Sequence, residues 1–516
     1  MPRWFNTAGP CRADRNYMLP ALRRLPEVLP LIDQESYFVL HAPRQVGKTT
    51  ALRALAEELT ASGRYAALHF SCESGEVAGD DFTAAQQAIL SRIRRSAELY
   101  LPAELHPPPF PEAPDISLLG TALAAWARAC PRRLVLFFDE IDALRGQSLL
   151  SVLRQLRDGF SDRPTGFPTS VILCGLRDVR DYKVTSGDRG HLGTSSPFNI
   201  KVESLTLRNF TRDEVAELYQ QHTDDTGQVF LPEAVDRAFY WTQGQPWLVN
   251  ALARQMVEQL VTDRNQPLTA AHVDVAKEIL LRRQDTHLDS LAERLREPRV
   301  RRILEPMLAG IALGDVPEDD LRFVQDLGLV RMASTGGMEV ANPLYREIIP
   351  RVLANTAMAS LPRLPATWLR ADGRLDMERL MEAFLAFWRQ HGQPLLGTAP
   401  YHEISPHLVL MAFLHRVANG GGTLEREYAI GTGRMDLCLR YGPDTLALEL
   451  KVWRDGEKDP LEEGLAQLDG YLAGLGLESG WLVIFDRRGG QPPMAERTRA
   501  TPATTPAGRQ VTVVRA

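Results

Sequence analysis

The chain has 516 residues and a formal net charge of -6, with 44% apolar and 24% charged residues. At roughly 150 residues per domain this predicts three or four domains, and the balance predicts a sizeable buried core and excludes a disordered chain. A net negative charge also excludes attraction to nucleic acid over the whole surface, so a nucleic-acid partner needs a local basic face.

Cys11, Cys72, Cys130, Cys174 and Cys438 are odd in number and far apart, with no CxxC pair or zinc-spaced Cys/His cluster. A reducing, cytoplasmic setting is expected. Met1 to Arg24 lacks the apolar segment of a signal peptide. No run of about 18 apolar residues predicts a membrane span.

Up to Asn209, short β-branched and aromatic runs predict buried strands: Tyr37–Leu40, Tyr65–Phe70, Leu134–Phe138 and Ser170–Cys174. Helical patterns lie between them, over Thr50–Thr60 and Phe82–Leu101. Strands alternating with helices predict an α/β fold with a parallel sheet covered on both faces. Pro102–Pro114 is crowded with prolines and predicts a surface loop.

The first run leads into Ala42-Pro43-Arg44-Gln45-Val46-Gly47-Lys48-Thr49-Thr50. A strand, a turn with Gly-Lys-Thr and a helix are the context of a Walker A phosphate loop. Backbone N–H groups of the turn and helix start would face the phosphates of ATP. Lys48 would add a point charge, Thr49 a hydroxyl to Mg²⁺, and Gly47 a close backbone approach. Ala42 stands where the motif has glycine, which is harmless if its φ is negative.

Leu134–Phe138 ends in Asp139-Glu140-Ile141-Asp142, the Walker B form. Asp139 would hold Mg²⁺ and Glu140 would polarise the attacking water. After the next strand, Arg177 is a candidate γ-phosphate sensor. Arg189 would act as an arginine finger only from a neighbouring copy, which makes a homo-oligomer one expectation.

From Thr211 helices take over. Thr211-Arg212-Asp213-Glu214 predicts a capped helix start, and Pro232-Glu233-Ala234-Val235 another. Leu327–Arg331 and Met338–Ala341 predict two short strands around a glycine turn, the outline of a winged helix. Asn355–Asp372 is expected to be linker. The predicted segments are a P-loop core over 1–209, a helical lid over 210–285, a winged helix over 286–356, a connector over 357–399 and a last domain over 400–516.

His41 to Thr50, Phe138 to Asp142, Ser195-Ser196-Pro197-Phe198-Asn199-Ile200 and Thr242-Gln243-Gly244-Gln245-Pro246-Trp247-Leu248 together resemble the AAA-like ATPases related to archaeal-type and STAND ATPases. The resemblance covers about Phe5 to Leu353. It implies ATP binding and hydrolysis, and a lid segment, Gly244-Gln245-Pro246, near the nucleotide.

In the last region, strand-like runs are predicted at Glu425–Ile430, Arg434–Arg440, Thr445–Val452 and Trp481–Phe485. Arg487–Ala516 is expected to be mostly loose, ending in one edge strand over Gln510–Val514. Two paired strands would bring Asp436 and Glu449 side by side. Lys451, two residues on, shares the face of Glu449, with Leu446, Leu448 and Leu450 opposite. Two carboxylates and a lysine suit a hard cation such as Mg²⁺. Gln467 and Tyr471, at i and i+4, share one helix face.

This pattern resembles the PD-(D/E)XK nuclease superfamily over about Pro400 to Phe485. The resemblance implies an α/β nuclease-like domain, DNA as partner, Asp436, Glu449, Lys451 and Gln467 as catalytic positions, and Glu403 as a further acidic metal position. Met435 replaces the proline of the pattern. His402-Glu403-Ile404-Ser405-Pro406-His407 is not a zinc-protease motif, because the second histidine is one residue too far on. Trp241, Trp247 and Trp453 are expected to be packing residues. The expectation is an ATPase joined to a Mg²⁺-dependent DNA endonuclease, suited to defence or mobile-element biology. The alternatives are a STAND-like switch, whose last domain only binds and whose winged helix docks a protein partner, and a DNA translocase.

Overall fold

The computed structural model describes residues 2–176, 201–283, 293–295, 297–308, 313, 315–333, 336–349, 367–398, 405–418, 422–430 and 433–516. Arg177, Arg189, Ser195–Ile200, His402 and Glu403 lie outside the described residues. The chain forms two compact units, Met1–Asp285 with Pro317–Pro343, and Thr286–Val316 with Leu344–Ala516.

The first unit holds strands β1 (Tyr37–His41), β2 (Tyr65–Ser71), β3 (Arg133–Asp139), β4 (Ser170–Gly175) and β5 (Lys201–Thr206), in the order β2-β3-β4-β1-β5. All four pairings are parallel. Side chains alternate between two cores, as a pleated strand requires. Tyr37, Val39, Leu136 and Phe138 pack under helices Phe82–Tyr100, Leu118–Ala129 and Gly146–Asp158. Phe38, Leu40, Val135 and Phe137 pack under helix Lys48–Ala61, which contributes Leu52, Leu55 and Leu59 at helical spacing. Burial on both faces explains why these strands read as unbroken apolar runs.

β5 was not predicted. Lys201-Val202-Glu203-Ser204-Leu205-Thr206 is half polar, as an outermost strand tolerates, and its pairing with β1 supplies the missing ladder.

Thr211 and Glu214 form a reciprocal capping box on helix Arg212–Thr226, and Pro232 opens helix Pro232–Thr242. Helices Pro246–Gln255 and Ala270–Arg283 follow. Between the second and third of these helices Gly244 takes φ +71°, and a Cβ there would lie 1.8 Å from the Phe210 carbonyl oxygen. Only glycine fits that approach. Trp241 and Trp247 are buried. Beyond helix Glu318–Asp326, β6 (Val330–Met332) and β7 (Met338–Val340) pair antiparallel.

The second unit holds β8 (Gly422–Ile430), β9 (Gly433–Tyr441), β10 (Asp444–Trp453), β11 (Trp481–Asp486), β12 (Arg499–Thr504) and β13 (Gln510–Arg515), in the order β12-β13-β11-β10-β9-β8. β10, β11 and β13 run parallel to one another; β8, β9 and β12 pair antiparallel with their neighbours. Helix Leu461–Leu475 covers the face carrying Cys438, Ala447, Leu482 and Val513. Helices Met377–Thr398 and Ser405–Ala418 bring Phe384, Phe387, Trp388 and Phe413 into a second aromatic core, where Trp388 meets Phe485 at 5.0 Å between centroids.

Two expectations for this unit are corrected. The tail is not loose: β12 spans Arg499–Thr504, and β13 lies inside the sheet, not at its edge. Thr and Pro masked the strand, because an outermost strand needs no apolar alternation and tolerates Pro502. Nor is the described end of the expected linker free chain. Trp368 is buried, 5.9 Å from the Phe413 ring, and Leu369 bridges to Leu375.

Among the described residues, no helix is long and apolar enough to cross a membrane.

Candidate functional site

The C-terminal ends of β1, β3 and β4 build the first site, as the general rule for open parallel sheets requires. β1 runs into the loop Ala42–Gly47, and helix Lys48–Ala61 starts at once. The loop's left-handed residues are Gln45 (φ 60°) and Gly47 (φ 89°). Ala42 is not among them, so alanine at that position carries no backbone strain. It is fully buried and donates its N–H to the Gly175 carbonyl at 3.4 Å. Lys48 Nζ donates to the carbonyls of Ala42 (2.7 Å) and Pro43 (2.9 Å), which holds the ammonium inside the curl of the loop. Arg44 and Gln45 are exposed, and Val46 is buried. The Thr50 hydroxyl accepts the Cys11 N–H at 3.0 Å, tying the N-terminal arm to the helix start.

Thr49 Oγ1 donates to Asp139 Oδ2 at 2.7 Å. Two residues ninety positions apart thus present a hydroxyl and a carboxylate at one point. Oxygen donors of this kind fit Mg²⁺, with phosphate oxygens and water completing its shell. The first-turn N–H groups of the helix have no partner within it and suit an anion.

Sequence reasoning missed three neighbours of Asp139 and Glu140. His69 Nε2 lies 2.9 Å from Asp139 Oδ2, and both residues are buried. The Cys174 thiol also bonds this carboxylate. Ser71 Oγ donates to Glu140 Oε2 at 2.5 Å. A polar His69 inside the apolar run Tyr65–Phe70 was the available signal. Burial pushes the Asp139 carboxyl up, but the bonds from His69, Thr49 and Cys174 outweigh it and hold the group below the usual carboxylate range. Burial pushes Glu140 up; the Ser71 bond opposes this, while the charges of Asp139, Glu73 and Asp142 add to it. Glu140 is therefore the better proton acceptor of the two. It sits at φ 56°, the left-handed turn that swings its side chain off the strand end.

The sign of the Asp139 shift sets a pH dependence. A depressed carboxyl stabilises the fold above its unfolded value, and that contribution is lost as pH falls through the folded one. In His69→Leu the carboxylate loses a partner, so stability at neutral pH should fall by about 1–3 kcal/mol. From neutral pH down to about pH 2, the loss of stability that sets in below about pH 4 should be shallower. Urea midpoints across that range measure both.

In the second unit, Glu449 and Lys451 share the face of β10 covered by helix Leu461–Leu475. Lys451 Nζ donates to Glu449 Oε1 at 2.8 Å and to Gln467 Oε1 at 2.5 Å. Gln467 Nε2 donates onward to Glu463 at 3.2 Å. Glu449 is 2% exposed. The β9–β10 ladder is paired as far as Leu437 opposite Leu448. Asp436 is the next residue on one strand and Glu449 the next on the other, which puts both at the end of the paired ladder. Tyr471 lies one helical turn beyond Gln467 and packs on the core beneath. Trp453, two residues past Lys451, is stacked by the Arg488 guanidinium at 3.4 Å from its ring centroid, a packing contact. Among the described side chains, no three His, Cys, Asp or Glu converge on one point as a metal cluster.

Residues 32–182 match the family model described as AAA domain. No curated protein matches the chain. Solved structures that the chain matches include a Walker-type ATPase of Pyrococcus abyssi, 14% identical, covering 66% of this chain and 98% of that one with a TM-score of 0.47. The RuvB Holliday junction branch migration motor of Thermotoga maritima is 16% identical, covering 62% and 89%, with a TM-score of 0.35. The Aeropyrum pernix ORC1 protein, solved in complex with DNA, is 14% identical, covering 69% and 96%, with a TM-score of 0.34. The phosphate-loop motif, the acidic strand end, the parallel sheet and the family match make residues 32–182 an AAA-type P-loop ATPase domain.

Proposed function

We propose that this chain binds MgATP at the β1 loop and hydrolyses it with Glu140 as base. We propose further that the β8–β13 unit is a Mg²⁺-dependent DNA endonuclease coupled to that ATPase. The observation that carries the first reading is the 2.7 Å bond between Thr49 and Asp139 beside the Lys48 ammonium. A cation on those two oxygens would offset triphosphate charge, while Lys48 and the loop amides hold the phosphates. Glu140, raised in pKa and braced by Ser71, would take the proton of the attacking water.

The second reading is supported by the Glu449–Lys451–Gln467 bonds and by the pairing of Leu437 with Leu448, the chain neighbours of Asp436 and Glu449 respectively. Mg²⁺ bound by these carboxylates would lower the pKa of a water and offset charge on a scissile phosphate. Lys451, aimed by Glu449 and Gln467, would position that water. Helix Glu318–Asp326 with β6 and β7 supports a winged-helix reading, a surface for DNA or a protein partner.

ATP turnover tests the first reading. Glu140→Gln keeps the shape and removes the base, so turnover should fall about a hundredfold or more while ATP uptake is kept. Turnover equal to that of the parent chain would exclude Glu140 as base.

A further inference from the structure

Two side chains outside the phosphate loop grip two successive carbonyls of its backbone. Arg24 is 8% exposed. Its Nη2 donates to the Val46 carbonyl at 3.0 Å, and its Nε to the Arg208 carbonyl at 3.0 Å. The guanidinium lies 4.8 Å from the Phe210 ring centroid, and a Cβ on Gly47 would sit 3.6 Å from Nη1. Gln245 reaches the neighbouring peptide of the loop. Its Nε2 donates to the Gln45 carbonyl at 3.5 Å, while its Oε1 accepts the Leu248 N–H that starts helix Pro246–Gln255. Phe210 N–H donates to the Gly244 carbonyl at 2.9 Å, next to Gln245. The contacts form a circuit: Val46, Arg24, Arg208 to Phe210, Gly244, Gln245, Gln45.

In a trans peptide the C=O and the following N–H point in opposite directions. A Val46 carbonyl drawn to Arg24 turns the Gly47 N–H the other way. A Gln45 carbonyl drawn to Gln245 does the same for the Val46 N–H. Successive loop amides aimed together form an anion-binding concavity. Burying a guanidinium is costly, and burial lowers the pKa of Arg24 to about 10. Nearby Glu214 is already bonded by Arg208 at 2.6 and 2.8 Å. A rigid fork that can hold two carbonyls at once explains arginine here.

We infer that Arg24, with Gln245, is a positioning residue that aims the Val46 and Gly47 amides at bound phosphates and ties the loop to the first helices after β5. The inference rests on the ATP-binding reading above.

Calorimetric titration of ATP and ADP in magnesium buffer tests it, on the full chain, with circular dichroism and melting to confirm folding. Arg24→Met should weaken ATP and ADP by about tenfold, the cost of one orphaned buried carbonyl. Arg24→Lys should recover part of that loss, since an ammonium reaches one carbonyl but not both. Gln245→Leu should weaken binding less, and the double variant should lose less than the product of the two, because both act on adjoining peptides. Folded Arg24→Met binding ATP within about twofold of the parent overturns the inference. So does Arg24→Lys binding no better than Arg24→Met. A folded parent chain that takes up no ATP sinks the underlying reading itself, an outcome distinct from these two.

Discussion

Lys48→Ala is expected to remove measurable ATP binding and, with it, turnover. The Lys48 ammonium is the positive charge held inside the curl of the loop, by the carbonyls of Ala42 and Pro43. A triphosphate bound beside it would lose its one lysine partner in a partly buried setting. Breaking such a pair costs about 3–5 kcal/mol, a loss of about 10²- to 10⁴-fold in affinity. Lys48→Arg should not rescue it, because the guanidinium is larger and flat where the loop encloses a compact ammonium point charge. Calorimetry on folded protein decides the matter. Binding by Lys48→Ala equal to that of the parent would remove the phosphate-loop reading altogether.

DNA cleavage is expected to vanish in Glu449→Gln and in Lys451→Met, with ATP turnover kept in both. Glu449 supplies a buried carboxylate, and Lys451 is held between it and Gln467. Exchanging the carboxylate for an amide removes the charge a divalent cation needs but keeps the size of the side chain. Loss of metal-assisted activation should lower cleavage by about 10⁴-fold or more, below detection on a plasmid assay. Supercoiled, linear and single-stranded DNA with Mg²⁺, with and without ATP, form the panel. DNA of every form left intact by the parent chain would leave a binding module in place of a nuclease. Gln467→Ala should slow cutting less than Lys451→Met, since it orients the lysine and is not replaced by it.

How much of this could be read from the sequence follows from burial. The first four strands of the first sheet are buried on both faces, so Tyr37–Leu40 and Leu134–Phe138 stand out as continuous apolar runs. β5 and β12 are outermost and carry polar residues or proline in place of an apolar run, so they gave no such signal, whereas β2, also outermost, is buried and did. The phosphate loop was legible because its chemistry is local: glycine, lysine and threonine are neighbours in the chain. The partners of Asp139 were not, since His69 reaches it only through the β2–β3 pairing, seventy residues away in sequence. Arg24 was hidden for the same reason; nothing beside it in the chain hints at Val46 or Arg208. Helix starts fared well, because the Thr211–Glu214 cap and Pro232 are signals confined to one turn.

The outermost strand of the second sheet has one more implication. Pro502 sits mid-way along β12, opposite Thr512, and the side chains around it are largely exposed. Proline offers no amide hydrogen, so this margin is a poor template for another strand to zip onto. Copies of the molecule are thereby discouraged from joining margin to margin through β12 into a continuous ribbon. If the protein assembles, its sheets should stay separate on this side, and association would rely on side-chain surfaces.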